Sequence, residues 1–254
     1  FKKQKKTRGI SEKENIKIAI KSMGLDELEK FNPNEKIIEY SIKDKTEKLC
    51  ELNLTQFAQT TASESPAPGG GSISAYIGAL GAALGTMVAN LSSHKRGWDS
   101  KWNYYSKIAE KGQNHLNNLL ELVDKDTEAF NDIINSFRLP NNTKEEKLFR
   151  DNAIFNATLN AIKVPLKIMQ ESESSMEIIK IMANEGNPNS VSDAGVAALC
   201  ARSAVIGGYL NVKINCKDLS DKKLAKSLIS EAEKIKKSAE KKEKEIINIT
   251  LKKL

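Results

Sequence analysis

The chain has little of what most catalytic chemistry is built from. Of its 254 residues only two are histidine and three are cysteine. His94 and His115 cannot complete a zinc site of the usual ligand count without carboxylates, and neither lies in an HExxH motif. Cys50, Cys200 and Cys216 are odd in number, far apart and without a CxxC, which argues against a disulfide framework or a zinc site and for free thiols in a reducing cytoplasm. Aromatics make up 6%, while leucine, isoleucine, alanine and lysine dominate, a balance that favours helix over sheet. No GKS or GKT follows the glycine-rich stretch, which argues against nucleotide hydrolysis. A net charge of +7 suggests a nucleic-acid partner, but Lys2, Lys3, Lys5, Lys6 and Arg8 form one N-terminal run and the C-terminal lysines alternate with glutamates as on a solvated helix. No helix-turn-helix, zinc-finger or RNA-binding signature accompanies them, so no nucleic-acid partner is expected. There is no signal peptide, and the start at Phe1 without an initiator methionine suggests a missing N-terminal portion.

One stretch of this chain, itself 29% charged, has no charged residue: SPAPGGGSISAYIGALGAALGTMVANLSS, Ser65 to Ser93. Beyond its opening turn it is made of Ala, Gly and Ser more than of bulky residues, with Gly78, Gly81 and Gly85 on one helical face. Each helical glycine costs roughly 0.8 to 1 kcal/mol against alanine, so three of them imply another backbone or a flat ligand pressed on that face. A second copy of the chain is the expected occupant. A flexible Gly/Ser linker and a transmembrane helix are the alternatives. Small residues supply little transfer energy and the later amphipathic helices need a soluble core partner, so no membrane is expected.

Organisation divides the chain at residues 1–46 and 47–254. In the first part Ser11 with Glu14 caps a helix that ends at Gly24, and Lys36 to Ile42 reads as a short strand, an α/β remnant unable to bury itself. From about Leu52 the pattern is helical throughout. A long amphipathic helix runs from Asp99 to Phe137, and Thr143 with Glu146 opens another that Pro165 should kink. SSMEIIKIMA reads as a separate helix, Ser192 or Asp193 caps a second small-residue helix, and a lysine/glutamate helix begins at Ser220. The expected fold is an all-α antiparallel helical bundle.

Along the long helix Leu119, Val123, Phe130, Ile133 and Phe137 form an apolar seam that one polar residue, Asp126, interrupts; Asp124 and Glu128 fall off it. Burial raises a carboxylic acid's pKa and prepares it for proton exchange near neutrality. An aspartate paired with a core arginine or capping a nearby turn fits the same pattern. Lys95 and Arg96 are either an anion-holding pair or a solvated surface pair. The turn Gly69–Ser72 and the turn GNPNSVSD, which contains Asn187, Ser192 and Asp193, each present amides at a helix start.

Together these motifs resemble the cyclodeaminase half of formiminotransferase-cyclodeaminase, a family that includes a related methenyltetrahydrofolate cyclohydrolase. The resemblance runs from about Leu52 to the end, on SPAPGGGSISA, LVDKDTEAF, RLPNNTKEEK, GNPNSVSDAG and YLNVKIN, while IKIAIKSMGLDELEKFNPNEKIIEY looks like the end of the formiminotransferase half. It implies a dimeric or larger helical assembly in the cytoplasm, with a polyglutamylated folate in a groove between subunits. It also implies closure of 5-formiminotetrahydrofolate to 5,10-methenyltetrahydrofolate with loss of ammonia, a step of histidine degradation, with no cofactor and no metal. The second Asp of VDxD, Asp126, is then the essential aspartate. Gly69, Gly70, Gly71, Ser72, Asn187, Ser192 and Asp193 would border the folate, and Lys95 and Arg96 would meet its glutamate tail. A cyclohydrolase and a non-catalytic folate-binding module are the competing readings.

Overall fold

Side-chain caps start several of the helices. In the computed structural model, which describes residues 7–27, 29–41 and 48–254, α1 (Glu12–Ser22) is capped by Ser11, which accepts from the Glu14 amide at 3.2 Å, and Gly24 follows at φ +65°. Two single turns come next, α2 (Pro33–Lys36) and α3 (Ile38–Ser41). They replace the strand expected over Lys36 to Ile42, whose last residue, like Lys2 to Lys6, lies outside the described residues. The reason is local: Asn32 accepts from the Asn34 amide and Pro33 occupies the first helical turn, while no strand among the described residues is available as a partner.

The remaining helices, α4 (Leu54–Thr61), α5 (Gly70–Ser93), α6 (Trp102–Phe137), α7 (Lys144–Glu185), α8 (Val191–Asn215) and α9 (Lys222–Leu251), make an all-α antiparallel bundle. One core lies among α7, α8 and α9, around Met169, Met176, Ile179, Ala201 and Ile246. A second joins α5, α6 and α7 around Ala79, Leu119, Val123 and Ile168. The Thr143/Glu146 capping box opens α7, which then runs through Pro165 for 42 residues, so SSMEIIKIMA is its last part and not a separate helix. Pro165 has no amide hydrogen for the Ala161 carbonyl four residues back. Asn215 on α8 donates to that carbonyl at 2.7 Å and satisfies it. The start of α8 also differs from expectation. Asn187 accepts from the Asn189 amide and launches a 3-10 turn, Pro188–Ser190, leaving Ser192 and Asp193 inside the first turn of the helix.

The glycine face of α5 is used within the chain. A Cβ on Gly81 would lie 2.9 Å from the Ala197 carbonyl oxygen and 3.1 Å from the Ala201 nitrogen of α8, and one on Gly78 would lie 3.1 Å from the Ala204 methyl. Both α5 and the stretch Pro188–Asn215 are long and apolar enough to cross a membrane, yet here these faces close on one another. The tight contact expected between two copies is thus intramolecular. Gly81→Leu should therefore cost about 3 kcal/mol or more of bundle stability through overpacking, read as a lower melting temperature at every protein concentration. A variant that melts like the parent but changes its oligomeric state would reverse this assignment.

Residues 7–9 also belong to the bundle's packing. Asn90 on α5 donates to the Gly9 carbonyl at 2.9 Å and accepts from the Thr7 hydroxyl, while a Cβ on Gly9 would lie 2.7 Å from the Ala109 carbonyl of α6. Residues 7–9 are thus seated on α5 and α6.

Candidate active site

The first turn of α5 starts at Gly69 without a side-chain cap from its own loop, and the cap comes from α6. The Ser72 hydroxyl lies 3.1 Å from Asp126 Oδ2, and the Ser72 amide also bonds to that carboxylate. The close approach requires glycine: a Cβ on Gly71 would overlap the Asp126 carboxyl group. Asp126 therefore does cap a neighbouring turn, and it also faces open space. A cavity of about 120 Å³ is lined by Pro66, Ala67, Gly69, Gly70 and Gly71, by Asp126, Thr127, Phe130 and Ile133 of α6, and by Ala161, Asn211 and Asn215. The α6 seam explains this position. It is fully buried at Leu119 and Val123, then leaves the core, so that Phe130 is 38% and Phe137 54% exposed.

Burial pushes the Asp126 pKa above its ordinary value, and the Ser72 hydroxyl and amide partly offset that rise. No cationic side chain among the described residues pairs with it. Glu171 provides the contrast. Its carboxylate is buried too, which alone would raise its pKa, but Lys167 at 2.8 Å, His115 at 2.9 Å and Asn118 at 3.3 Å reverse the effect and hold it low. Glu171 is thus fixed in its charged form, whereas Asp126 is left able to gain and lose a proton. Asp124 is turned elsewhere and accepts from the Leu49 amide at 2.7 Å, which anchors the segment before α4. Desolvation raises the pKa of all three free cysteines, so none is an activated thiolate. Among the described residues no three of His, Cys, Asp and Glu converge as metal ligands.

The residues expected at the site form two groups at opposite ends of α5. Gly69, Gly70, Gly71 and Asp126 line the cavity, and Ser72 sits behind it, 0% exposed, touching the carboxylate and not the open space. The second group lies at the other end of the 24-residue helix, about 36 Å away at 1.5 Å per residue. There the Asn187 amide donates to Ser92 at 2.8 Å, which ties the Gly186–Asp193 turn to the helix end, and Lys95 and Arg96 follow directly. Lys95 stacks its ammonium 4.2 Å over the Trp98 ring, and Arg96 is exposed. One chain does not bring these groups together. The polar cavity residues that sequence reasoning missed are Thr127, Asn211 and Asn215. Two amides four residues apart at the end of a helix rich in small and apolar residues were the available signal, since that spacing puts both on one face.

A family model described as formiminotransferase-cyclodeaminase matches residues 53–234, and one for the formiminotransferase domain matches residues 1–43. The chain is 34% identical to formimidoyltransferase-cyclodeaminase of Rattus norvegicus over 84% of its own length and 40% of that protein, so it spans well under half of that relative. It is 36% identical to methenyltetrahydrofolate cyclohydrolase of Methylorubrum extorquens, over 70% of this chain and 85% of that one. The crystal structure of formiminotetrahydrofolate cyclodeaminase from Thermotoga maritima superposes with a TM-score of 0.70 at 26% identity, covering 80% of this chain and 97% of that one. On the match of the family model over residues 53–234 and the identity to the cyclohydrolase relative, this chain belongs to the formiminotransferase-cyclodeaminase family.

Proposed function

We propose that the protein is an ammonia-releasing lyase that cyclises 5-formiminotetrahydrofolate to 5,10-methenyltetrahydrofolate. The observation that carries this reading is a carboxyl group that lines a cavity, has no cation beside it and has its pKa raised by burial. In the first step N10 attacks the carbon of the protonated formimino group, CH=NH2+, whose C=N electron pair moves onto its nitrogen, and Asp126 takes the N10 proton. In the second, Asp126 gives that proton to the former formimino nitrogen, the carbon–nitrogen bond breaks with its electron pair leaving on ammonia, and the N5=C bond of the methenyl product forms. Holding N10 and the carbon in register supplies much of the rate. The chemistry asks for no cofactor beyond the folate itself. The lack of a cationic partner on Asp126 argues against a purely structural or non-catalytic folate-binding role.

The cavity of about 120 Å³ is smaller than the roughly 300 to 1,000 Å³ typical of small-molecule sites, so a folate must extend beyond it. A homodimer, or a larger homo-oligomer, would supply the rest. The outward sides of α5 and α8 expose Leu80, Met87 and Leu91 and Val196, Leu199, Leu210 and Ile214, surface suited to a partner subunit. If the two subunits run antiparallel there, the Lys95, Arg96, Asn187, Ser192 and Asp193 end of one meets the Asp126 end of the other, and the basic pair reaches a polyglutamate tail. A cytoplasmic location, and membership of a bifunctional enzyme with an active formiminotransferase half, complete the reading.

The cyclohydrolase relative supports a second reading on the same scaffold. The two are separated by giving the protein each folate in turn. Ammonia and growing methenyl absorbance from the formimino compound, faster than any loss of methenyl absorbance from the second, is the expected result. Hydrolysis of the methenyl compound without ammonia release from the first would make the protein a cyclohydrolase.

A further inference from the structure

Ser72 is the one polar side chain behind the Asp126 carboxyl that never reaches the cavity, and its surroundings hold more acceptors than it has hydrogens. Its hydroxyl lies 2.9 Å from the Val123 carbonyl, 3.1 Å from Asp126 Oδ2 and 3.3 Å from Thr127 Oγ1. A serine hydroxyl carries one hydrogen and two acceptor lone pairs. It cannot donate to the carbonyl and to the carboxylate at once. Which of them it serves depends on where the Asp126 proton is.

We propose that the Ser72 hydroxyl is a two-position switch that follows the proton on Asp126, donating to Oδ2 while the carboxyl group is ionised and turning to the Val123 carbonyl when the protonated carboxyl donates to Ser72 Oγ. Rotation about one bond exchanges the two states, and each leaves both groups hydrogen-bonded. The carboxyl group is thereby satisfied before and after it accepts the N10 proton, without water or a second acid. Thr127, at the cavity wall, holds the hydroxyl from the third side in either state. This assignment rests on Asp126 being the proton carrier proposed above, and it makes Ser72 a positioning residue and not a folate contact.

The other ionisable groups nearby leave the switch to Ser72. On α6, Asp124 is committed to Leu49, Lys125 pairs with Glu121 at 3.1 Å and Glu128 is exposed. The parts of α5, α7 and α8 that line the cavity, Gly70, Gly71, Ala161, Asn211 and Asn215, carry no charge, and Lys163 on α7 is exposed. The bond to the ionised state is charge-assisted and the bond to the neutral state is not, so the first is the stronger.

The test is a carbon-13 titration of the aspartate carboxyl groups in the full chain, with the Asp126 signal assigned by its loss in Asp126→Asn. Ser72→Ala should raise the Asp126 midpoint by about one pH unit. Ser72→Cys, with similar volume and a weaker donor, should move it part of the way. The acid limb of ammonia release should move upward with it, and Ser72→Ala should add no further loss in the Asp126→Asn background. An unmoved or lowered midpoint, or the same loss in both backgrounds, would overturn the proposal. If the wild-type protein released no ammonia from 5-formiminotetrahydrofolate the functional reading would fail, while the titration would still decide the role of Ser72.

Discussion

Replacing Asp126 by asparagine is expected to lower ammonia release from 5-formiminotetrahydrofolate by two to four powers of ten, about the worth of general acid/base catalysis. Asparagine keeps the volume and is as good a helix cap as aspartate, so the first turn of α5 should hold its place and folate binding should persist. It cannot accept the N10 proton. Because burial raises the Asp126 pKa above 3.8, the carboxyl group's contribution to stability is fully present below that pH and is lost as pH rises through the raised value. Above it the buried charge is a cost that asparagine does not carry. The variant should therefore melt no lower than the parent at pH 8, and any advantage should vanish towards pH 3.8. Glu128→Gln, at an exposed position on the same helix, is the control, since Asp124 anchors Leu49 and is not a neutral site. Near-normal turnover in Asp126→Asn, or loss explained by unfolding in circular dichroism, would remove Asp126 from the chemistry.

Gly71→Ala should be nearly as damaging to rate as the loss of the carboxyl group itself. A single methyl at this position would occupy the space of the Asp126 carboxyl group, so one of the two must move. The backbone of α5 is held by its packing on α8, and the aspartate side chain faces a cavity into which it can turn. The side chain should yield. Displacement by 1 Å from a productive geometry costs on the order of a hundredfold, and the bonds from Ser72 would be lost as well. Alanine is a better helix former than glycine, so the bundle should remain folded. Thermal melts and turnover measured together check this: unchanged melting with turnover down about a hundredfold is expected, and unchanged turnover would mean that the Gly71–Asp126 contact is not needed.

What the sequence made legible follows from how local the signals were. Ser11, Thr143 with Glu146, and Gly24 act on their own neighbouring backbone, and each stands where its pattern put it. The seam around Asp126 was readable because helical periodicity is local too. The strand over Lys36 to Ile42 failed because a β-pattern of six or seven residues means little without a partner, and Asn32 with Pro33 had already set a helical turn. The separate helix expected at SSMEIIKIMA proved to be the continuation of α7, which runs on through Pro165 with the freed Ala161 carbonyl satisfied by Asn215, 50 positions beyond the proline on another helix. The glycines of α5 promised a close backbone contact, and only the tertiary arrangement shows that α8 of the same chain provides it. For the same reason the seating of the Gly186–Asp193 turn at the far end of α5 could not be read, since it rests on the Asn187–Ser92 bond between residues 95 positions apart.

The central claim is that one active centre is assembled from the two ends of α5 on two subunits, with Asp126 as its proton carrier. Mixing tests it most directly. Asp126→Asn and a Lys95→Ala/Arg96→Ala double variant, each purified and each nearly inactive alone, are unfolded together, refolded as mixed dimers and assayed for ammonia release. Half of the dimers should be mixed and each should carry one intact centre, so the account predicts recovery of about a quarter of wild-type activity. Activity no higher than that of the separate variants, in a preparation shown to contain mixed dimers, would contradict it.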